Sequence, residues 1–331
     1  MSAGPIAAPG QPALRVSSLR VSYDSRRRAL TAVDDLSLDV AAGETVAVIG
    51  ESGSGKSTLL RAIAGLTPAA AGRVEITPGP PGVPAVQVVF QDPDLALDPR
   101  QPVWKSIAEP LLPRKLRIPE RLRSAAVDLL HEVGLDAEIA DRRPHQLSGG
   151  QRQRVTIARA VAARASLILF DEPVSAQDVS LQASLLRLLA ALQRQHGLTY
   201  VIVSHDIAAV ARMAHRVGVM YAARLVEIGP AGQILTQPRH PYTRALIDAV
   251  PQITEQPAAR REPAIGGEPP DLRNPPSGCR FRTRCPFAIE RCAAAVPALD
   301  DTRESSGHRV ACHRWQEIAA FPQQTGANDD Y

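Results

Sequence analysis

Two periods organise the apolar positions of this chain. Leu19-Arg20-Val21-Ser22-Tyr23 and Leu36-Ser37-Leu38-Asp39-Val40 alternate apolar and polar, which predicts β-strands with one face buried. Thr45-Val46-Ala47-Val48-Ile49, Val86-Gln87-Val88-Val89-Phe90, Leu167-Ile168-Leu169-Phe170 and Thr199-Tyr200-Val201-Ile202-Val203 are short apolar runs, as in strands covered on both faces. Arg73-Val74-Glu75-Ile76 is one more strand, closed by a Pro/Gly cluster over 77–84. Helical spacing governs 106–112, 118–133, 151–163 and 181–195. Strands alternating with helices predict an α/β fold with a mainly parallel sheet between helical layers. Strand signals vanish over 92–147, so that stretch reads as a helical insertion into a core spanning 14–237. A third region, 238–322, is rich in Pro, Arg and Cys and has little periodicity. Residues 1–13 and 323–331 are expected to be a disordered leader and tail.

Composition narrows the function classes. At 331 residues and 44% apolar content, one large domain or two modest ones can bury a sizeable core. A formal charge of +4 with 4% aromatics gives no basic, ring-studded surface of the kind that binds nucleic acid. No segment approaches the roughly 18 consecutive apolar residues of a membrane span. The Ala/Pro/Gly-rich start carries no basic residue before an apolar core and does not read as a secretory signal. A cytosolic protein is expected, brought to any membrane by a partner.

Candidate chemistry begins at Gly50-Glu51-Ser52-Gly53-Ser54-Gly55-Lys56-Ser57, followed by Thr58. It follows a predicted strand and opens a predicted helix, the context that G-x-x-x-x-G-K-[ST] requires of a phosphate-binding loop. Glycines let successive N–H groups converge on an anion, Lys56 adds a point charge, and the Ser57 hydroxyl suits Mg²⁺. Lysine is rare here, with Lys56, Lys105 and Lys115 against 35 arginines, so Lys56 is no compositional accident. The strand 167–170 ends in Asp171-Glu172. A carboxylate at the first position can hold Mg²⁺, and one at the second can orient or deprotonate an attacking water.

Leu147-Ser148-Gly149-Gly150-Gln151, with Arg152-Gln153-Arg154 after it, resembles the signature of ATP-binding cassette (ABC) ATPases. Physically it is a second anion trap at a helix N-terminus. The resemblance covers 14–237 and implies a RecA-like P-loop NTPase core with an antiparallel β-subdomain and an inserted helical subdomain. By position in the family order, Gln91 is the Q-loop glutamine that senses Mg²⁺ beside Ser57 and Asp171. Glu172 and His205 are the catalytic base and switch histidine, and Tyr23 is the ring that stacks on adenine. Ser148, Gly149, Gly150, Gln151 and the D-loop residue Asp178 would close the ATP site of a facing subunit in a head-to-tail pair. Two departures stand out: Gln177 replaces the usual leucine in Ser175-Ala176-Gln177-Asp178, and the stretch from Arg73 to Gln91 is short, which trims the β-subdomain.

Gln91-Asp92-Pro93, Leu97-Asp98-Pro99-Arg100 and Ala108-Glu109-Pro110-Leu111 resemble the ATPases of oligopeptide/dipeptide importers. So do His240-Pro241-Tyr242-Thr243, Gly267-Glu268-Pro269-Pro270 and the cysteines. The implied assembly contains a second ATPase subunit (self or paralogue), two integral membrane permease subunits and an extracytoplasmic binding protein. It would sit peripherally on the cytoplasmic face of a bacterial membrane. Nickel, glutathione, oligosaccharide or antibiotic cargo is an alternative to peptides, and a soluble ABC protein of ribosomes or DNA a more distant one. All four cysteines (Cys279, Cys285, Cys292, Cys312) lie in the C-terminal region. In a reducing cytosol clustered thiols point to metal ligation. A [4Fe–4S] cluster is the expectation from the family resemblance, with Zn²⁺ and unligated thiols as the alternatives.

Overall fold

The computed structural model describes residues 12–23, 29–79, 82–112, 119–173, 179–207, 212–249, 266–302 and 307–319. Its centre is the strand β3 (Thr45–Ile49), every residue of which is buried. β3 lies parallel between β7 (Thr199–Ser204) and β8 (Arg216–Tyr221). Beyond β7 come β6 (Leu167–Asp171) and β5 (Val86–Val89), again parallel, and beyond β8 comes the antiparallel β9 (Arg224–Pro230). Alternation along each strand sends neighbours to opposite faces. Ala47, Ile49, Ile168 and Phe170 thus join one core cluster, while Val46, Val48, Leu167 and Leu169 join another. Both faces are covered, so the strands read as unbroken apolar runs.

One cover combines α1 (Lys56–Ile63) with a separate antiparallel sheet of β1 (Pro12–Tyr23), β2 (Leu30–Ala41) and β4 (Ala71–Ile76), in the order β2-β1-β4. β1 begins at Pro12, so Pro12 and Ala13 are strand residues inside the stretch expected to be a leader. The opposite cover contains α2 (Val103–Ala108), α3 (Arg123–Glu132), α4 (Gly149–Ala162) and α5 (Val179–His196). Between Asp92 and Gln146 no described residue is in a strand, and Trp104, Ile107, Leu130 and Ile139 pack into the same cluster as Phe170.

The region after Pro238 is less irregular than its sequence. α6 (Ala231–Thr236) and α7 (Pro241–Asp248) follow β9. Then come α8 (Glu290–Ala294), two-residue strands β10 (Asp300–Asp301) and β11 (Arg309–Val310), and α9 (Trp315–Ala319). β11 pairs with β9 and β10 with β11, which extends the central sheet to eight strands. Buried Glu227 on β9 secures this edge: it accepts the N–H groups of Arg239 (2.6 Å) and His240 (3.0 Å), and its Oε1 lies 2.8 Å from His308 Nε2.

A second joint is Asp34 on β2, which meets Arg20 (β1), Arg224 (β9, 2.7 Å) and Arg280 of the C-terminal region. Burial alone would raise the Asp34 pKa. The hydrogen bond and charge of Arg224, then the charges of Arg280 and Arg20, outweigh burial and hold it below its usual value. A carboxylate depressed in the folded state stabilises the fold above its unfolded pKa, and that stability is lost as pH falls through the folded value. Asp34→Ala, which leaves three guanidinium groups around an empty position, should cost about 3 kcal/mol near neutrality. Denaturant unfolding from pH 6 to pH 2 checks this: wild type should lose an increment below about pH 4 that the variant lacks.

Candidate active site

Parallel pairing brings three strand ends to one edge of the sheet, because Ile49 faces Ser204 and Asp171 faces Val203. The residues next in the chain, Gly50, Glu172 and His205, therefore share one crevice, the usual ligand position in an open α/β sheet. At Gly50 (φ 152°) a Cβ would stand 2.2 Å from Met220 O, and at Gly55 (φ 106°) 2.1 Å from Ala32 O. Both conformations and both close approaches require glycine. Lys56, the first residue of α1, is buried and donates to Gly50 O (2.7 Å) and Glu51 O (2.9 Å), which curls the loop around its own ammonium group. Burial lowers the Lys56 pKa, against the opposing charges of Glu172, Asp171 and Glu51.

Ser57 Oγ donates to Asp171 Oδ1 at 2.9 Å. Ligands on adjacent corners of an octahedron of about 2.1 Å radius lie about 3 Å apart, so this oxygen pair suits Mg²⁺. Burial pushes Asp171 above the usual carboxylate range, and the Ser57 hydrogen bond pulls it part of the way back. Glu172 has φ 50°, a strained value for a non-glycine residue, and its N–H is tied to Val203 O at 2.9 Å. One Glu172 carboxylate oxygen accepts from Gln91 Nε2 (3.1 Å), and the other lies 3.2 Å from His205 Nδ1. Tyr23, at the end of β1, is 38% exposed and its hydroxyl reaches Thr58 Oγ1 at 3.5 Å.

Ser148 caps α4: its Oγ accepts from Gln151 N (3.3 Å), while Gln151 Oε1 accepts from Ser148 N (2.9 Å). This reciprocal capping box leaves the first turn of α4, with exposed Gly149, open at the surface. Asp178 and the rest of 174–178 lie outside the described residues.

The sequence reading missed the residues beneath the phosphate loop. Tyr242 Oη accepts the Glu51 N–H (2.9 Å), and Arg284 donates to both carboxylate oxygens of Glu51 (2.9 and 3.2 Å). Both belong to stretches noted for their resemblance, yet nothing in their spacing signals contact with Glu51, about 190 and 230 residues away.

Cys279, Cys285, Cys292 and Cys312 are free thiols that line one small pocket with Phe281, Phe287 and Ile318. Burial pushes Cys285 up to about 11 and Cys312 up to about 12, so both stand as neutral thiols. Among the described residues no group of three or more His, Cys, Asp or Glu stands in an arrangement for a metal ion. The metal centre expected from the resemblance gains no support from this arrangement. Tetrahedral zinc, with sulfur at about 2.3 Å, would need the sulfurs within about 4 Å of one another. These thiols do not fit it as they stand.

A family model described as ABC transporter matches residues 33–175, and one described as oligopeptide/dipeptide transporter, C-terminal region, matches 226–292. The chain is 45% identical over 296 residues to a probable peptide ABC transporter ATP-binding protein, y4tS, of Sinorhizobium fredii, covering 85% of this chain and 82% of the relative. It is 44% identical over 275 residues to the probable D,D-dipeptide transport ATP-binding protein DdpF of Escherichia coli, covering 82% and 88%. Among solved structures, the ATP-binding cassette MJ0796, dimeric in a post-hydrolysis state with ADP and Pi, superposes with a TM-score of 0.58 at 28% identity. That match covers 66% of this chain and 98% of MJ0796. CbiO1 of Clostridium perfringens, part of the transporter complex cbiONQ, gives 0.59 at 27% identity, over 67% and 90%.

Fold and crevice define a P-loop ATPase of the ABC class. The chain belongs to the ATP-binding subunits of ABC transporters, in their oligopeptide/dipeptide branch.

Gly55→Ala places a methyl group against Ala32 O at a strained φ, about 2 kcal/mol or more of distortion in the loop. ATP affinity measured by fluorescent-nucleotide displacement should fall at least about tenfold, with a lower melting temperature.

Proposed function

We propose that this chain powers peptide import by binding and hydrolysing ATP between two ATPase subunits beneath a separate permease. The observation that carries the reading is the shared crevice at the strand ends, where the phosphate loop, Asp171, Glu172, Gln91 and His205 meet. In this reading Gly50, Glu51, Ser52, Gly53, Ser54, Gly55, Lys56, Ser57 and Thr58 wrap the phosphates, and Tyr23 stacks on the base. Ser57, Asp171 and Gln91 hold Mg²⁺, which neutralises charge on the β- and γ-phosphates. Glu172 polarises the attacking water for in-line displacement, and His205 keeps that carboxylate oriented. Ser148 to Gln151 and Asp178 close the partner subunit's site.

The peptide cargo is supported by the match of the C-terminal region and by the names of the relatives. Among the described residues no helix is long and apolar enough to cross a membrane. The family match and the transporter relatives support a peripheral place at the cytoplasmic face, with two permease subunits and an extracytoplasmic binding protein as companions.

Glu172→Gln should retain Mg·ATP, lose turnover by about 100-fold or more and accumulate a closed dimer on gel filtration. Lys56→Ala should instead weaken nucleotide binding itself. Wild-type turnover in Glu172→Gln would remove Glu172 from its role.

For the four cysteines the proposed occupant, from the family resemblance, is a [4Fe–4S] cluster; the zinc alternative is the one that the thiols as they stand do not fit. What supports this reading is the resemblance of the C-terminal region, whose family model takes in Cys279, Cys285 and Cys292. Binding would require the raised thiols to lose their protons. Anaerobic purification with iron, sulfide and zinc analysis should find about four iron atoms per chain. One zinc per chain without iron would end the cluster reading.

A further inference from the structure

Glu51 is the phosphate-loop residue with the most contacts outside the ATPase core. Its N–H is donated to Tyr242 Oη, and its carboxylate is gripped at both oxygens by Arg284. Its carbonyl, with that of Gly50, receives Lys56 Nζ. The Glu51 N–H shares a peptide plane with Gly50 O, so the bond to Tyr242 fixes one of the two carbonyls that orient the lysine, and the grip of Arg284 on the carboxylate holds the residue that carries the other. The Arg284 side chain is only 7% exposed, and its remaining nitrogen is engaged as well: Nε donates to Gly266 O (3.1 Å), while Nη1, besides Glu51, reaches Tyr221 Oη (3.3 Å). Tyr221, Tyr242 and Phe281 form a ring cluster beneath, with centroids 4.6 to 5.6 Å apart, and the Arg284 guanidinium lies 5.8 Å from the Tyr221 centroid. Burial raises the Tyr242 phenol, which keeps its oxygen neutral as an acceptor for the loop amide. A bidentate guanidinium–carboxylate pair at low exposure is rigid in a way that a surface ion pair is not.

We infer that Tyr242 and Arg284 are positioning residues for ATP binding, bracing the phosphate loop from the C-terminal region through Glu51. Neither touches the nucleotide in this account; each acts through Glu51 on Lys56. Docking of the C-terminal region and nucleotide affinity are then two ends of one linkage. The inference rests on the reading of Gly50 to Ser57 as the ATP site, and Lys56→Ala tests that reading separately.

The test uses the full-length chain, with ATP affinity by fluorescent-nucleotide titration and KM and kcat by phosphate release. Arg284→Ala should raise Kd and KM for ATP about tenfold, within the usual range for coupled sites, while kcat at saturating ATP changes less than about twofold, as loss of uniform binding requires. Glu51→Ala should weaken ATP affinity by at least as much, and the double variant should bind ATP no more weakly than Glu51→Ala alone. Arg284→Lys, which keeps charge but not the fork, should recover part of the loss. Tyr242→Phe, which keeps the ring and removes the acceptor, should raise KM without a matching fall in kcat. If Arg284→Ala does not fold, Arg284→Lys and Glu51→Gln, each within a few degrees of the wild-type melting temperature, carry the comparison. Unchanged ATP affinity in the folded variants, or additive losses in the double variant, overturns the brace. Wild-type ATP affinity in Lys56→Ala would instead remove the underlying site.

Discussion

Everything in the crevice depends on the parallel register of β3, β7 and β6. Because Ile49 pairs with Ser204 and Asp171 with Val203, three strands end at one level, and the residues after them emerge side by side. A phosphate loop alone is an anion trap. The same loop beside a carboxylate bonded to Ser57 and a second carboxylate held by Gln91 and His205 has the parts that the proposed cleavage of a phosphoanhydride calls for. The backbone is tight at this site: Gly50 and Gly55 have positive φ against neighbouring carbonyls, and Glu172 has a positive φ at the strand end. The buried, nearly continuous apolar strands on either side of β3 are what hold such conformations in place.

A second theme is how the chain after β9 is fastened to the ATPase core. Glu227 collects two backbone N–H groups and His308, Asp34 collects three arginines, and Glu51 collects Arg284 and Tyr242. Each is a core carboxylate that receives donors from a distant part of the sequence. Asp34 and Glu227 are buried and cost much to desolvate unless fully partnered, while Glu51 is half-buried, so the first two joints hold the C-terminal region most firmly. Its β11 strand also occupies the edge that β9 would otherwise expose.

Much of this was legible in the sequence, for physical reasons. Thr45 to Ile49 and Leu167 to Phe170 announce doubly covered strands by composition, and the phosphate loop and Asp171-Glu172 are local in sequence because their chemistry is local in space. The strands β8 and β9 were not singled out: Arg216 to Pro230 joins two strands through the two-residue turn Ala222-Ala223, both residues at positive φ without the usual glycine or asparagine. β10 and β11 are two residues each, too short to carry any period. The helix expected over 118–133 is observed from Arg123, after a 3₁₀ turn at Glu120–Leu122. The brace on Glu51 was invisible because a single arginine or tyrosine carries no positional signal. The cysteines were legible as a group, but their spacing could not specify what they surround.

The central claim is that Mg·ATP occupies the crevice at the ends of β3, β6 and β7. Hydrogen–deuterium exchange of the full-length chain, with and without Mg·ATP, tests it most directly. The account requires slowed exchange at the amides of residues 50–58, with weaker protection around Gln91, Glu172 and His205 and little change on the outer face of α3. Unchanged exchange over 50–58 at saturating Mg·ATP, or protection confined to another part of the molecule, would contradict it.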